Sequence, residues 1–190
     1  VSTEGGVAEL LADARARMSK SVESVAHELA TVRTGRASPA LLDRLTVDYY
    51  GAQTPLRQLA SVAAPEARLL TIQPYDRSAI AAIERAIGES DLGLTPSNDG
   101  NMIRLVIPEL TGERRTELVK VVKGLAEEGR VAVRNIRRDI MHELRRRKGE
   151  GAVSEDDEHR AEGGLQQLTD EHVAEIDRLL KHKEAEILEI

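Results

Sequence analysis

The sequence predicts an α+β protein in which a small β/α/β domain is inserted into an elongated three-helix bundle. Three observations carry this expectation. Apolar residues recur at helical spacing over three long stretches, a β-prone segment separates the first two of them, and aromatic residues are nearly absent. With no Phe, no Trp and three Tyr, any core must be built from Val, Leu, Ile and Ala. Charged residues make up 32% of the chain and interrupt the apolar runs regularly, which suits long amphipathic helices better than a deep enzyme core.

The first stretch places Val7, Leu11, Ala14, Met18, Val22, Val25, Leu29 and Val32 on one helical face. The second does the same with Leu118, Val122, Leu125, Ala132, Ile136, Ile140 and Leu144, and Gly129 falls on that stripe. The third uses Leu165, Leu168, Val173, Ile176, Leu180 and Ile187, with Lys183 in one apolar position. One stripe per helix demands partners, and three such helices can cover one another. The second helix, of about 37 residues, would be roughly 55 Å long at 1.5 Å per residue. Ser154 is the expected N-cap of the third, with acidic Glu155, Asp156, Asp157 and Glu158 where the helix dipole favours them. Gly163-Gly164 either interrupts that helix or marks its effective start, and Gly112 and Gly129 weaken the second locally.

Residues 36–109 have a different pattern. Leu45 to Tyr50, Gln58 to Val62, Arg68 to Ile72 and Ile103 to Ile107 are β-prone, and Gly51 marks a turn. Adjacent Tyr49 and Tyr50 should face opposite sides of their strand. Ile80, Ile83 and Ile87 give Ser78 to Ser90 helical spacing with Ser78 as cap, and Gly93 to Gly100 is expected to be a loop. The expected division is therefore a bundle of residues 1–35 and 110–190 and an insert of residues 36–109. Two short crossings join them, Thr34-Gly35-Arg36 and Pro108-Glu109-Leu110-Thr111, and a paired linker of this kind is expected to act as a hinge. Gly35 is expected at the left-handed position that ends the first helix, with Arg33 near that helix's C-terminal dipole. Thr111 is expected to cap the second.

The net charge of −6 is unevenly spread: residues 110–148 carry +6 and residues 149–190 carry −9. On a wheel at about 100° per residue, Lys120, Lys123, Arg130, Arg134, Arg137, Arg138, Arg145 and Lys148 share an arc of about 100°, roughly 140° from the apolar stripe. Glu127 is the one acid in that arc, whereas Glu117, Glu128, Asp139 and Glu143 lie outside it. A solubilising face would mix signs to gain pairs at i, i+4; here Arg130/Arg134 and Arg134/Arg138 repel. A polyanion would offset that repulsion, and arginine favours bidentate phosphate contacts. With few aromatic side chains for base stacking, the ridge is expected to read the backbone of structured RNA. A solvated face remains the alternative at this point.

No cysteine is present, which removes disulfides, thiolate nucleophiles and zinc fingers. No run approaches the roughly 18 apolar residues of a membrane span. Val-Ser-Thr-Glu-Gly-Gly at the start lacks the pattern of a secretory signal, so a cytoplasmic location is expected. No phosphate-binding loop, nucleophile elbow or His-Glu-x-x-His motif occurs, and His27, His142, His159, His172 and His182 lack ligand spacing. No catalysis, metal or cofactor is expected.

Several strings carry a family resemblance: Arg33-Thr34-Gly35-Arg36-Ala37-Ser38-Pro39, Val47-Asp48-Tyr49-Tyr50-Gly51, Thr54 to Val62, Ser90 to Leu94, Val131 to Asp139 and Lys181-His182-Lys183-Glu184. In this order and spacing the chain resembles the bacterial ribosome recycling factors. The resemblance implies an L-shaped pair of domains and a non-enzymatic protein, monomeric off the ribosome. It also implies binding to rRNA of the large subunit and action with elongation factor G, the GTP being bound by that partner. By position it implies RNA-facing roles for Arg130, Arg134, Arg137 and Arg138. Lys123 and Arg145 join these through the ridge, and Arg33 and Arg36 through their place beside Gly35. An RNA-binding adaptor would share the ridge without the hinge, and a coiled-coil scaffold would share the bundle without the ridge.

Overall fold

In the computed structural model, which describes residues 3–188, the contacts divide the chain into two compact units. Residues 1–2 and 189–190 of the expected bundle lie outside the described residues. One unit combines the chain up to Arg33 with the chain from Gly112 onward, and the other is Thr34–Thr111. The first holds α1 (Thr3–Thr31), α4 (Gly112–Gly149) and α5 (Glu155–Leu188). The second holds β1 (Thr46–Tyr49), β2 (Ala52–Pro55), α2 (Leu56–Leu59), β3 (Ala60–Glu66), β4 (Leu69–Pro74), α3 (Ile80–Glu89), β5 (Pro96–Asn98) and β6 (Ile103–Val106).

The three long helices pack pairwise as a three-helix bundle. Its core is aliphatic, as composition requires: Ala14, Met18, Val122, Ala126, Val133, Leu144, Leu165, Ile176 and Ile187 are fully enclosed. The buried face of α4 differs from the expected stripe. Ala126 and Val133 are buried where Leu125 and Ala132 were expected, and Met141 is buried inside the cationic arc. A helix that meets two neighbours has a broader dry arc than one that meets a single partner, so the face extends towards the ridge. Gly129 sits at the point of closest approach: an added Cβ would lie 2.2 Å from Val25 Cγ2 and 3.3 Å from Ile176 Cδ1. Its small size is a packing requirement rather than a weak spot.

The helix ends follow local chemistry. Ser154 Oγ accepts from Asp157 N at 3.1 Å and so caps α5, which continues without interruption through Gly163 and Gly164. After α4, Ala152 N donates to Arg147 O and Gly151 N to Lys148 O, with Gly151 at φ 75°, the left-handed pattern that closes a helix C-terminus. Helix α1 stops at Thr31, earlier than expected, where Thr31 Oγ1 donates to Glu28 O and Val32 N to Leu29 O. Gly35 is left-handed, at φ 76°, but it lies beyond the helix end, and no basic residue occupies the last turn of α1.

In the second unit a two-stranded β1–β2 hairpin accompanies a four-stranded antiparallel sheet of order β3-β4-β6-β5. Alternation turns Leu70 and Ile72 of β4 and Ile103 and Leu105 of β6 inward, where they meet Leu42, Val47, Leu56, Ile83 and Ile87. Three elements depart from expectation. Residues 58–59 end a helical turn, β2 pairs with β1 through Thr46↔Pro55, and β5 forms within the expected Gly93–Gly100 loop. Asp76, not Ser78, caps the turn leading into α3, accepting from Ser78 N at 2.9 Å. At the β1–β2 turn Tyr50 (φ 50°) and Gly51 (φ 81°) are both left-handed. Tyr49 is half-buried and its hydroxyl donates to Asp76 Oδ2, whereas Tyr50 is 84% exposed.

Candidate nucleic-acid interface

The cationic arc of α4 is present, but the neighbouring helix divides it. Arg130 is only 18% exposed at its side chain. Its Nε donates to Asp177 Oδ1 of α5 at 2.7 Å, and its Nη1 to Glu127 Oε2 at 2.9 Å. Burial alone would lower the Arg130 pKa; hydrogen bonds to Asp177 and Glu127 more than offset that and raise it. The other oxygen of Glu127 accepts from Arg134 Nη1 at 3.4 Å. Lys123 lies 4.0 Å from Glu184, and Lys148 pairs with Glu158 at 2.5 Å. Close pairing therefore does occur inside the arc: Glu127, the acid the wheel placed there, takes Arg130 and Arg134, and α5 adds Asp177, Glu184 and Glu158, which a wheel of α4 cannot display.

Beyond these pairs the arc changes character. Arg138 and Arg145 are exposed, and neither meets a carboxylate among the described residues. Exposed Lys120 is likewise unpaired. Arg137 was expected on the solvent face but is half-buried, with a buried Nε that has no hydrogen-bond partner. It stands beside the widened dry face at Met141. Acids outside the arc are used elsewhere. Asp139 accepts from Arg17 of α1 at 2.9 Å. Glu143 is held at about pKa 2 by hydrogen bonds from Arg146 and Arg147. The outward row is thus Arg134, Arg138 and Arg145, one carboxylate among three guanidinium groups.

Arg33 and Arg36 are exposed and flank the first crossing. An added Cβ on Gly35 would come within 3.0 Å of Leu110 Cγ of the second crossing, and the positive φ already disfavours any other residue there. Ala37 N donates to Ala67 O and Ile107 N to Arg68 O, and Arg68 pairs with Glu109. Both crossings are thereby fastened to the β3–β4 turn, a link that spacing along the chain gave no means to foresee. Pro108, Glu109 and Thr111 are exposed and Thr34 is half-buried, with Thr111 immediately before α4. His172 bridges helices, with Nδ1 2.6 Å from Leu168 O and Nε2 3.3 Å from Ser19 Oγ. Among the described residues no cluster of metal-ligating side chains forms, and no helix is long and apolar enough to cross a membrane.

The pattern of the family described as ribosome recycling factor matches residues 25–188. The ribosome-recycling factor of Rubrobacter xylanophilus is 58% identical over 180 residues, covering 95% of this chain and 97% of the relative. That of Bacillus subtilis is 55% identical over 182 residues, covering 96% and 98%. Among solved structures, a ribosome recycling factor in solution matches with a TM-score of 0.73 and 41% identity over 97% of this chain and 98% of that one. The T. thermophilus ribosome recycling factor, described together with E. coli elongation factor G bound to the E. coli post-termination complex, matches with a TM-score of 0.63. It is 52% identical, over 96% of this chain and 98% of its own.

Proposed function

Because the chain belongs to the ribosome recycling factor family, we propose that it binds rRNA of the large ribosomal subunit in post-termination complexes and promotes their splitting for a new round of translation. It does so with elongation factor G, which binds the GTP. In this reading it is a cytoplasmic monomer off the ribosome and carries no catalysis of its own. The observation that supports RNA binding is the outward row of α4, where Arg138 and Arg145 have no carboxylate partner among the described residues. Guanidinium groups without intramolecular partners are free to take phosphates, and each contact makes affinity fall with salt by a slope of about 0.7 to 0.9. Replacing Arg134 and Arg138 together by Glu should abolish retention on large subunits in filter binding and leave thermal unfolding nearly unchanged. Retention equal to wild type would refute the assignment.

The bundle is the proposed anchor and Thr34–Thr111 the proposed lever, hinged at Thr34-Gly35-Arg36 and Pro108–Thr111. What supports this division is where positive charge is concentrated: residues 110–148 of the bundle carry +6, although the acidic residues 149–190 leave the bundle as a whole negative, whereas residues 36–109 carry −2 and hold no segment of comparable positive charge. Replacing residues 37–108 by a short Gly/Ser linker should retain most large-subunit affinity and eliminate splitting with elongation factor G and GTP, read by light scattering. Splitting at the wild-type rate would show that the insert is not the lever.

A further inference from the structure

One carboxylate stands inside the arginine row and is shared. Glu127 gives one oxygen to Arg130 and the other to Arg134, 2.9 and 3.4 Å away, which is how a backbone phosphate would bridge two guanidinium groups. The two arginines are not equivalent. Arg130 is 18% exposed and fastened on its far side to Asp177, so it has little freedom to turn outward. Arg134 is 53% exposed, and its contact with Glu127 is the longer one.

We infer that Glu127 is a built-in competitor for the phosphate that Arg134 binds, and that Arg130 is a positioning residue acting through Glu127 rather than a phosphate contact. The inference rests on the proposed RNA-binding role of the row. Arg130 draws Glu127 towards α5 and so keeps Arg134 available. When RNA docks, Arg134 exchanges the Glu127 oxygen for a phosphate oxygen while the Arg130–Asp177 bond stays in place. No proton moves in this exchange, since both carboxylate and guanidinium remain charged throughout. The competitor sets a ceiling on affinity, which suits a protein that must leave the subunit after acting.

The test is a double-mutant cycle on large-subunit retention, measured at several salt concentrations for wild type, Glu127→Gln, Arg130→Gln and the double variant, with thermal unfolding followed in parallel. Glu127→Gln keeps the side-chain shape and removes the competing charge. It should bind about fivefold more tightly at low salt, the scale of one exposed ion pair, with an unchanged salt slope. Arg130→Gln should weaken binding severalfold, also without lowering the slope, because no phosphate contact is lost. In the Glu127→Gln background the Arg130→Gln effect should vanish. Equal affinity of Glu127→Gln and wild type would overturn the inference. So would an Arg130→Gln effect of the same size in both backgrounds, or a slope that falls by about 0.7 to 0.9 on losing Arg130. The wider reading fails separately, if charge reversal at Arg134 and Arg138 leaves binding intact.

Discussion

Replacing Gly129 by Ala separates helix propensity from packing, because the two effects have opposite sign at this position. In an isolated helix the change would stabilise by about 1 kcal/mol. In the bundle the new Cβ falls 2.2 Å from Val25 Cγ2 and 3.3 Å from Ile176 Cδ1, against about 3.5 to 4.0 Å for optimal carbon contact. Val25 is 4% exposed and Ile176 fully buried, so neither can swing aside into solvent and the helices themselves must separate. Overpacking of this kind typically costs about 1 to 3 kcal/mol, and a gap this short belongs at the upper end. The net loss is then about 2 kcal/mol, or roughly 10 °C in the melting of a unit of this size. Loss of helical ellipticity on heating measures it. Val25→Ala alone costs about 2 kcal/mol through the cavity it leaves. Combined with Gly129→Ala it should cost less than the sum of the two, since the new methyl occupies the space of the deleted one. A Gly129→Ala protein that melts at or above the wild-type temperature would refute the packing argument.

Two further outcomes test the small unit. Asp99 is held at about pKa 2, first by the backbone N–H of Asn101, then by that of Met102 and by Arg104, below its ordinary 3.8. A depressed carboxylate contributes stability that is present above about pH 4 and lost as pH falls through 2, so Asn101 and Met102 amide protection should decline across that window. A carboxyl NMR titration with a midpoint near 4 would contradict it. At the hairpin turn, Tyr50→Asn relieves a left-handed aromatic residue that is 84% exposed and should be neutral or stabilising by about 0.5 kcal/mol. Tyr49→Ala should cost more, by losing its half-buried ring and the bond to Asp76; equal losses at both positions in urea unfolding would refute this contrast, which arises because Tyr50 lies in the turn beyond β1 and not on the opposite face of the strand.

The long helices were legible because their signal is local: Ala14, Met18 and Leu29 of α1, or Leu118, Ile136 and Leu144 of α4, repeat at a spacing that needs no knowledge of a partner. What periodicity does not contain is the width of the dry arc. Ala126, Val133 and Met141 are buried because α4 meets both α1 and α5, and that depends on which helices pack together. The short strands were hidden for a different reason. Ala52–Pro55 has no inward apolar alternation and includes a proline, and Pro96–Asn98 is polar and three residues long. Both are strands because a neighbour offers hydrogen bonds in register, not because their residues favour extension.

The charged face shows the same limit with a functional consequence. Helix periodicity alone identified a row of arginines and could rank none of them, since every member of an isolated helix surface has equal access to solvent. Folding ranks them by adding the acids of α5 from one side. Asp177 and Glu184 are near Arg130 and Lys123, and Glu158 takes Lys148, so the excess of positive charge contracts onto Arg134, Arg138 and Arg145. The −9 of residues 149–190 therefore does more than balance the +6 of residues 110–148. By neutralising the flank of α4 that faces α5, it confines the attraction for a polyanion to the opposite edge of the row. Among the described residues of α4, the guanidinium groups that are both exposed and without a carboxylate partner are those of Arg138 and Arg145, and both lie on that edge, whereas Arg137 is half-buried beside the dry face.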